Sequence, residues 1–505
     1  MNWLRSGWGV FLASVVVPPA GIVLQWLRPS GLFLKLAGTA VTLVWFAAVL
    51  VMTLGIRWEL DGSGSNVVLS MGSREEHYDK LEQDRTVQQA EPPPVVEPPV
   101  TAAQPVAAKP DPEPAAAPPP RNYWTDFRGP NRDGRYEEMP ILTRWPDLGL
   151  DAVWRHPVGG GYASFVVADG RAYTIEQRRR QEVAAAYDLK TGRELWISAW
   201  DAYFTESLGG PGPRATPTWH EGRLYVMGAE GEFRCLDAAT GKLHWRRNVL
   251  SETNAGNLQW AMSAAPLIVD DKVIVHPGAR GASVAAYKRL TGEPVWKALD
   301  DKAGYSSPML ATVAGRRQIL LVTGERLLGM TVEEGRLLWE YPWRTQYDIN
   351  ASQPIVVGEN RVFISSGYGH GAAVVELTPS GEAFTVREVW MNNRMKNKFT
   401  SSVLHEGHVY GLDEAILACI DVATGELKWK GGRYGYGQLV FASGHLIVTT
   451  ETGDVVLVKA TPEGHQEVAR FPGVDGKTWN HPALAGGLLL VRNTTEMAAF
   501  RVAPN

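Results

Sequence analysis

Asp421-Val-Ala-Thr-Gly-Glu-Leu-Lys-Trp429 reads as the end of one strand, a Thr-Gly turn and a second strand that carries a tryptophan. Close copies stand upstream, at Asp188-Leu-Lys-Thr-Gly-Arg-Glu-Leu-Trp196 and Asp237-Ala-Ala-Thr-Gly-Lys-Leu-His-Trp245. Looser copies are Lys288-Arg-Leu-Thr-Gly-Glu-Pro-Val-Trp296 and Val332-Glu-Glu-Gly-Arg-Leu-Leu-Trp339. A supersecondary unit that recurs at this interval predicts a repeat architecture. Around each copy, short β-like runs alternate with Gly, Asp or Asn turns. From Arg214 onward the runs are Ala215–Trp219, Arg223–Met227, Phe233–Leu236 and the strand bearing Trp245. Four such strands in one sheet make a propeller blade.

Trp154, Trp196, Trp245, Trp296, Trp339, Trp390 and Trp429 mark seven outer strands, and Phe471 is assigned the eighth. The chain after Phe471 holds three strands, ending near Ala498 to Val502. Asp151 to Val158, with Trp154, is expected to supply the missing fourth. That pairing of first strand with last closes the ring and removes its open edges. The expected fold is all-β, an eight-bladed propeller of four-stranded blades over residues 121–505. Each indole has a structural task, because it can bury most of roughly 150–250 Å² between blades, and Gly in the turn permits positive φ beneath it.

Ahead of this domain the composition changes twice. Between Arg5 and Arg28, and between Lys35 and Arg57, there are uncharged runs of 22 and 21 residues, and about 20 apolar residues span a bilayer. Residues 1–56 are therefore expected to form a transmembrane helical hairpin. Arg28 and Lys35 in its short loop favour a cytoplasmic loop, with the rest of the chain outside the cytoplasm. Residues 57–90 are a polar juxtamembrane segment. Within it Arg74 to Gln89 is expected to be helical, with an apolar stripe (Tyr78, Leu81, Val87) too thin to fold alone. Residues 91–120 are rich in Pro and Ala and read as an extended spacer, with a reach on the order of 90 Å. The localisation expected is a bacterial inner membrane, with the propeller extracytoplasmic.

The bulk numbers exclude several classes. A net charge of -4 leaves no electrostatic footprint for nucleic acid. The two cysteines, Cys235 and Cys419, stand in no metal-ligand spacing. His405-Glu-Gly-His408 reads as a hairpin turn with solvent-facing imidazoles. Gly367-Tyr-Gly-His-Gly371 lacks the Lys-Ser/Thr of a phosphate loop. Arg178-Arg-Arg180 reads as an exposed blade loop open to an acidic partner.

A second repeat stands where each innermost strand begins: Gly161–Ser164, Pro213–Thr216, Met262–Ala265, Tyr305–Ser307, Asn350–Gln353, Phe399–Ser402, Tyr436–Gln438 and Trp479–His481. Small residues dominate. Among or beside them stand Tyr162, Arg214, Tyr305, Asn350, Lys398, Tyr436, Trp479, Asn480 and His481, the candidate binding residues at the channel mouth. Two cations with amides, hydroxyls and aromatics would suit an anionic, planar ligand. The competing reading is that these groups hydrogen-bond neighbouring loops and water. Asp348, Glu176 and Asp413-Glu414 are acidic candidates for calcium, without a recognisable ligand pattern.

The turn repeat resembles the tryptophan-docking motif Ala-x-Asp-x-x-x-Thr-Gly-x-x-x-Trp of the quinoprotein alcohol dehydrogenase-like propellers, slightly varied, over roughly residues 121–505. That superfamily includes enzymes using pyrroloquinoline quinone (PQQ) with calcium and non-catalytic scaffolds such as BamB. Trp124-Thr-Asp-Phe-Arg-Gly-Pro-Asn-Arg-Asp-Gly134 looks like the lead-in of a further, mostly bacterial group of PQQ-like repeat proteins. The chain departs from the enzymes in having neither a Cys-Cys pair nor a Cys-x-x-Cys-His haem motif, and from BamB in having a membrane hairpin in place of a lipidated Cys. The resemblance thus implies a tethered binding or scaffold module facing an envelope protein or glycan, or else a PQQ- and calcium-dependent oxidoreductase.

Overall fold

The computed structural model describes residues 10–11, 14–15, 17–53, 57–70, 73–90 and 123–504. The chain forms two compact units, Met1–His77 and Tyr78–Asn505. In the first, helix Pro18–Trp26 and helix Leu32–Thr53 are joined by a short turn. The Trp26 indole N–H donates to Thr39 Oγ1 at 2.9 Å and that of Trp45 to the Val15 carbonyl at 3.1 Å. Leu32–Val51 is long and apolar enough to cross a membrane. A short antiparallel hairpin, Arg57–Leu60 with Val67–Ser70, follows. The proline-rich segment 91–120 lies outside the described residues.

In the second unit, eight blades of four antiparallel strands follow one another, the seventh extended by a fifth, parallel strand. Blade 1 spans Val166–Asp201, blade 2 Thr218–Asn248, blade 3 Leu267–Ala298 and blade 4 Met309–Pro342. Blade 5 spans Ile355–Asn392, blade 6 Val403–Arg433 and blade 7 Gln438–Pro472. Blade 8 is Ala483–Arg501 completed by Ala152–Pro157, which pairs antiparallel with Glu496–Arg501. The ring thus closes first strand to last, as the sequence predicts.

Burial explains why four-stranded sheets suffice. Middle strands such as Val183–Ala186 and Val455–Val458 are buried on both faces, because each sheet packs on two neighbours. Separate hydrophobic clusters fill the successive seams, as with blades 2 and 3 around Tyr225, Phe233 and Tyr287, or 6 and 7 around Tyr410, Leu439 and Val456. The two free cysteines lie inside such seams.

The tryptophans close the outside of the seams. Trp154 donates its indole N–H to the Leu189 carbonyl at 3.0 Å, Trp196 to Ala238 at 3.1 Å, Trp245 to Arg289 at 3.0 Å and Trp390 to Val422 at 2.9 Å, each acceptor lying in the next blade's turn. Gly241, at φ 72°, lies so close to the Trp196 ring that a methyl group there would collide with it. A one-residue bulge sits beside this position in every blade, and bulges re-aim side chains. Trp339 departs from the set. The next blade replaces the Thr-Gly turn with two ten-residue strands, Gly371–Ser380 and Ala383–Asn392, and Trp339 instead donates within its own blade to Gln318 Oε1 at 2.6 Å. The register also corrects the eighth marker. Ala469, opposite Leu457 at the bulge, occupies the tryptophan position of blade 7. Phe471 stands two residues on, and packs edge-on against Trp145 and Phe500.

Two segments before the ring dock onto it. Helix Arg74–Ala90 buries Tyr78 and Leu81. Its Arg85 pairs with Glu194 at 2.7 Å, Asp79 pairs with Arg179 at 2.5 Å, and the Gln88 carbonyl accepts from the Glu194 backbone N–H. Asp84 and Gln88 both reach the His156 imidazole. The helix therefore bridges the outer strand of blade 1 and the closing strand Ala152–Pro157. Of the stripe read from the sequence, Tyr78 and Leu81 are buried while Val87 faces solvent, and the charged contacts add to the hold of the first two.

The second segment is Trp124–Tyr136, which crosses the inner strands. Its Trp124 and Thr125 carbonyls accept from Val167 in blade 1 and Trp219 in blade 2. Arg132 donates to the carbonyls of Ala265, Pro266 and Pro308 on the inner-strand side of blades 3 and 4, and pairs with Asp126 at 2.7 Å. Arg128 donates to Ser402 at 2.8 Å and Arg135 to Leu404 in blade 6. Arg135–Tyr136 then pairs parallel with Phe441–Ala442 of blade 7. Arg128 and Arg132 both adopt left-handed backbone conformations, at φ 64° and 57°. Such conformations cost a non-glycine residue free energy and persist only where the surroundings fix them. The Tyr136 hydroxyl accepts from Gly487 N in blade 8, so the segment is a plug touching seven blades.

Candidate functional site

Above the plug the inner-strand entrances enclose a cup of about 180 Å³. Phe127 from the plug and His481 line its floor side, 5.7 Å apart between rings. Trp260 and Tyr305 meet edge-on at 6.0 Å, and Phe399 packs on Trp479 at 4.8 Å. Tyr162 packs on Trp479 at 5.2 Å, and Tyr368 completes the lining rings. Glu206 is the carboxylate of the lining and Arg214 its guanidinium.

Five of the nine candidate residues line this cup: Tyr162, Arg214, Tyr305, Trp479 and His481. Each is held in place. The Tyr162 hydroxyl donates to Gly209 at 2.8 Å. Arg214 pairs with Glu206 at 2.9 Å, donates to the Gly210 and Gly212 carbonyls, and stands over the Tyr162 and Phe204 rings. Burial lowers its pKa from the usual arginine value. Burial likewise raises the Tyr305 phenol to about 12. Trp479 donates to Glu451 at 2.9 Å. Burial, with the Arg128 charge nearby, pushes His481 down to about 3. Its two ring nitrogens face the carbonyls of Pro482 and Leu439, and a neutral ring donates to one of them.

The other four stand outside the lining. Asn350 is fully buried, donates to the carbonyls of Thr323 and Trp343, and accepts from Ser366. Asn480 donates to Gly161 and Ala163, tying blade 8 to blade 1. These two amides hold loops. Lys398 lies over the Tyr368 and Tyr436 rings at 5.1 and 4.9 Å, and the Tyr436 hydroxyl reaches Glu414. The small residues of the entrance repeat form an interblade belt. Thr216 Oγ1 accepts from Ser164 N, Ser307 Oγ from Ala265 N and Ser401 Oγ from Gln353 N. Backbone amides at the crowded axis need such partners.

Residues not named among the nine candidates complete the cup. Phe399 stands inside the quoted entrance repeat, beside Thr400. Phe127, Trp260 and Tyr368 arrive from the lead-in, a loop of blade 2's exit and the Gly-rich loop 367–371, and no spacing in the sequence connects them. Arg178 is also corrected. It is buried, pairing with Glu176 and Glu194, rather than an exposed loop cation.

The donor set does not fit a calcium-bound quinone. Calcium takes six to eight oxygens, usually with several carboxylates. In the lining, Glu206 already accepts from the backbone N–H groups of Leu208 and Gly209 and from Arg214. Of the acidic candidates, Asp348 pairs with Lys302, Glu176 with Arg178, and Asp413 with Lys396 and Lys430, while Glu414 accepts from the Tyr436 hydroxyl. Among the described residues no group of three His, Cys, Asp or Glu side chains could hold a metal ion.

Comparison with known proteins gives two kinds of relative. A model of the family described as outer membrane protein assembly factor BamB matches residues 179–431. The chain is 33% identical over 165 residues to a quinohemoprotein alcohol dehydrogenase of Comamonas testosteroni, a match covering 30% of this chain and 22% of that protein. It is 22% identical over 308 residues to the outer membrane protein assembly factor BamB of Burkholderia pseudomallei (strain K96243), covering 53% of this chain and 75% of that protein. The match thus spans about a fifth of the dehydrogenase's length. Among solved structures, BamB from Moraxella catarrhalis superimposes with a TM-score of 0.50 at 16% identity, over 68% of this chain and 97% of that one. A europium-containing methanol dehydrogenase gives 0.57 at 13% identity, over 75% and 98%. At those identities the likeness concerns the fold alone.

Proposed function

The chain belongs to the family described as outer membrane protein assembly factor BamB, and from that premise we propose a membrane-tethered propeller that serves as a binding or scaffold module in the cell envelope. Residues 1–56 anchor it as a helical hairpin in a bacterial inner membrane, and the propeller faces away from the cytoplasm. Its partners are an envelope protein or glycan, not nucleic acid. One observation carries this reading: the channel ends in an aromatic cup floored by the plug, whose single carboxylate is already committed to Arg214 and two backbone amides. Such a cup can hold a ligand but lacks a free general base and a calcium cage.

The second reading, a PQQ-dependent oxidoreductase with calcium, is favoured by the local 33% identity to the quinohemoprotein enzyme. Turnover of a primary alcohol by the full-length chain, supplied with PQQ, calcium and an artificial electron acceptor, would establish it. The tether is tested by a reporter fused after Pro120. We expect activity for a reporter that works only outside the cytoplasm; activity confined to a cytoplasmic reporter would reverse the orientation.

A further inference from the structure

We infer that the cup takes an uncharged sugar ring, the end of a neutral glycan, laid on its aromatic wall; this rests on the binding-module reading above. Charge is the first argument. Arg214 and Glu206, the ionised side chains among the lining residues, neutralise each other at 2.9 Å and are both tied to backbone groups. A cation entering the cup meets Arg214, an anion meets Glu206, and either loses hydration without gaining an unclaimed partner. Lys398 and Lys477 stand over rings at the mouth, outside that lining. A neutral ligand avoids both penalties.

Apolar area is the second. Trp260, Tyr305, Tyr368 and Phe399 remain partly exposed although they stand inside a concavity. Aromatic area of this kind awaits a partner. The C–H face of a pyranose is flat, weakly polarised and matched to the electron-rich face of an aromatic ring.

The polar groups of the lining exclude a wholly apolar ligand. Ser307 and Ser401 each accept a backbone N–H from the neighbouring blade, at 2.9 and 3.0 Å, so each hydroxyl hydrogen is left to donate. Gln438 and His481 add further polar atoms to the same lining. An apolar guest would bury these groups without replacing their water, at a cost of about 1–3 kcal/mol each. The ligand must therefore carry hydroxyl groups along one edge and C–H groups on one face. Phe127 of the plug stands in the lining beside His481, which suits a chain end rather than a strand passing through.

The test uses the full-length chain in lipid nanodiscs, because glycoside detergents carry the probe's own chemistry. Cellobiose and N,N′-diacetylchitobiose are titrated against tryptophan fluorescence, beside glucosamine as a cationic and glucuronate as an anionic control. We expect a saturable response to at least one neutral disaccharide, with a dissociation constant on the order of 1 mM or tighter. Trp260→Ala and Phe399→Ala should each weaken it about tenfold without lowering Tm, and the charged sugars should bind more weakly. No saturation by neutral sugars up to tens of millimolar, an unchanged affinity in both variants, or preference for a charged sugar would overturn the inference. If PQQ with calcium saturates where sugars fail, the binding-module reading falls with it; if neither binds, the sugar assignment alone falls.

Discussion

Trp196 shows what one side chain does in this ring. Its indole N–H satisfies the Ala238 carbonyl of the next blade, and its ring lies on Gly241. Trp196→Ala removes both, so unfolding stability should fall by about 3–5 kcal/mol, read by denaturant titration. A change below about 1 kcal/mol would mean that the clasp is ornamental. Glu182 gives a pH signature. Burial lifts its carboxyl to about 7 from an ordinary 4.5, although it accepts from Ala229 N and the Trp200 indole. The folded state thus holds the proton more tightly than the unfolded chain. Glu182's contribution to stability is complete below pH about 4.5 and is lost as pH rises through 7. Glu182→Gln should flatten the stability profile across that window; an unchanged slope would place the titrating group elsewhere. Residue roles were partly legible in the sequence. The clasp tryptophans were readable because they repeat. Asn350 and Asn480 looked like ligand groups because an amide can hydrogen-bond a loop or a guest equally well, and only burial separates the two.

At the scale of elements, strand order followed from turns that recur every few residues, whereas the two docking segments did not. Trp124–Tyr136 finds its partners in blades 1, 2, 3, 4, 6, 7 and 8, and nothing local in the sequence records contacts so far apart. The aromatics it helps gather were invisible for the same reason. Helix Arg74–Ala90 was legible as a helix, but its docking face includes Asp79, Asp84, Arg85 and Gln88, which an apolar-stripe reading discards. A helix of this length is marginal alone in water. Leu81 is its most deeply buried side chain among those described. Leu81→Ala should therefore release it, with loss of amide-exchange protection across residues 78–90 while the blades keep theirs. Retained protection there would show that the ion pairs suffice.

At the scale of the whole molecule, closure makes the site. Ala152–Pro157 completes blade 8, the belt of hydroxyls joins neighbouring blades, and the plug ties blades 4 and 6 together and adds Phe127 to the cup. The ring was readable from the sequence to the blade. The cup was readable only in part: most of its lining belongs to the entrance repeat, whereas Phe127, Glu206, Trp260 and Tyr368 arrive through topology. The Thr-Gly-Trp repeat belongs to the architecture and leaves the activity open, so the ligand must be decided at the cup. The most direct measurement is a calorimetric titration of the full-length chain with PQQ in the presence of calcium. No saturable heat is expected at micromolar quinone, since Glu206 is held by Arg214 and two backbone amides and Asp348, Glu176 and Asp413 by cations elsewhere. A saturable, calcium-dependent heat in that range, lost in Trp479→Ala, would contradict it and make the cup a quinone site.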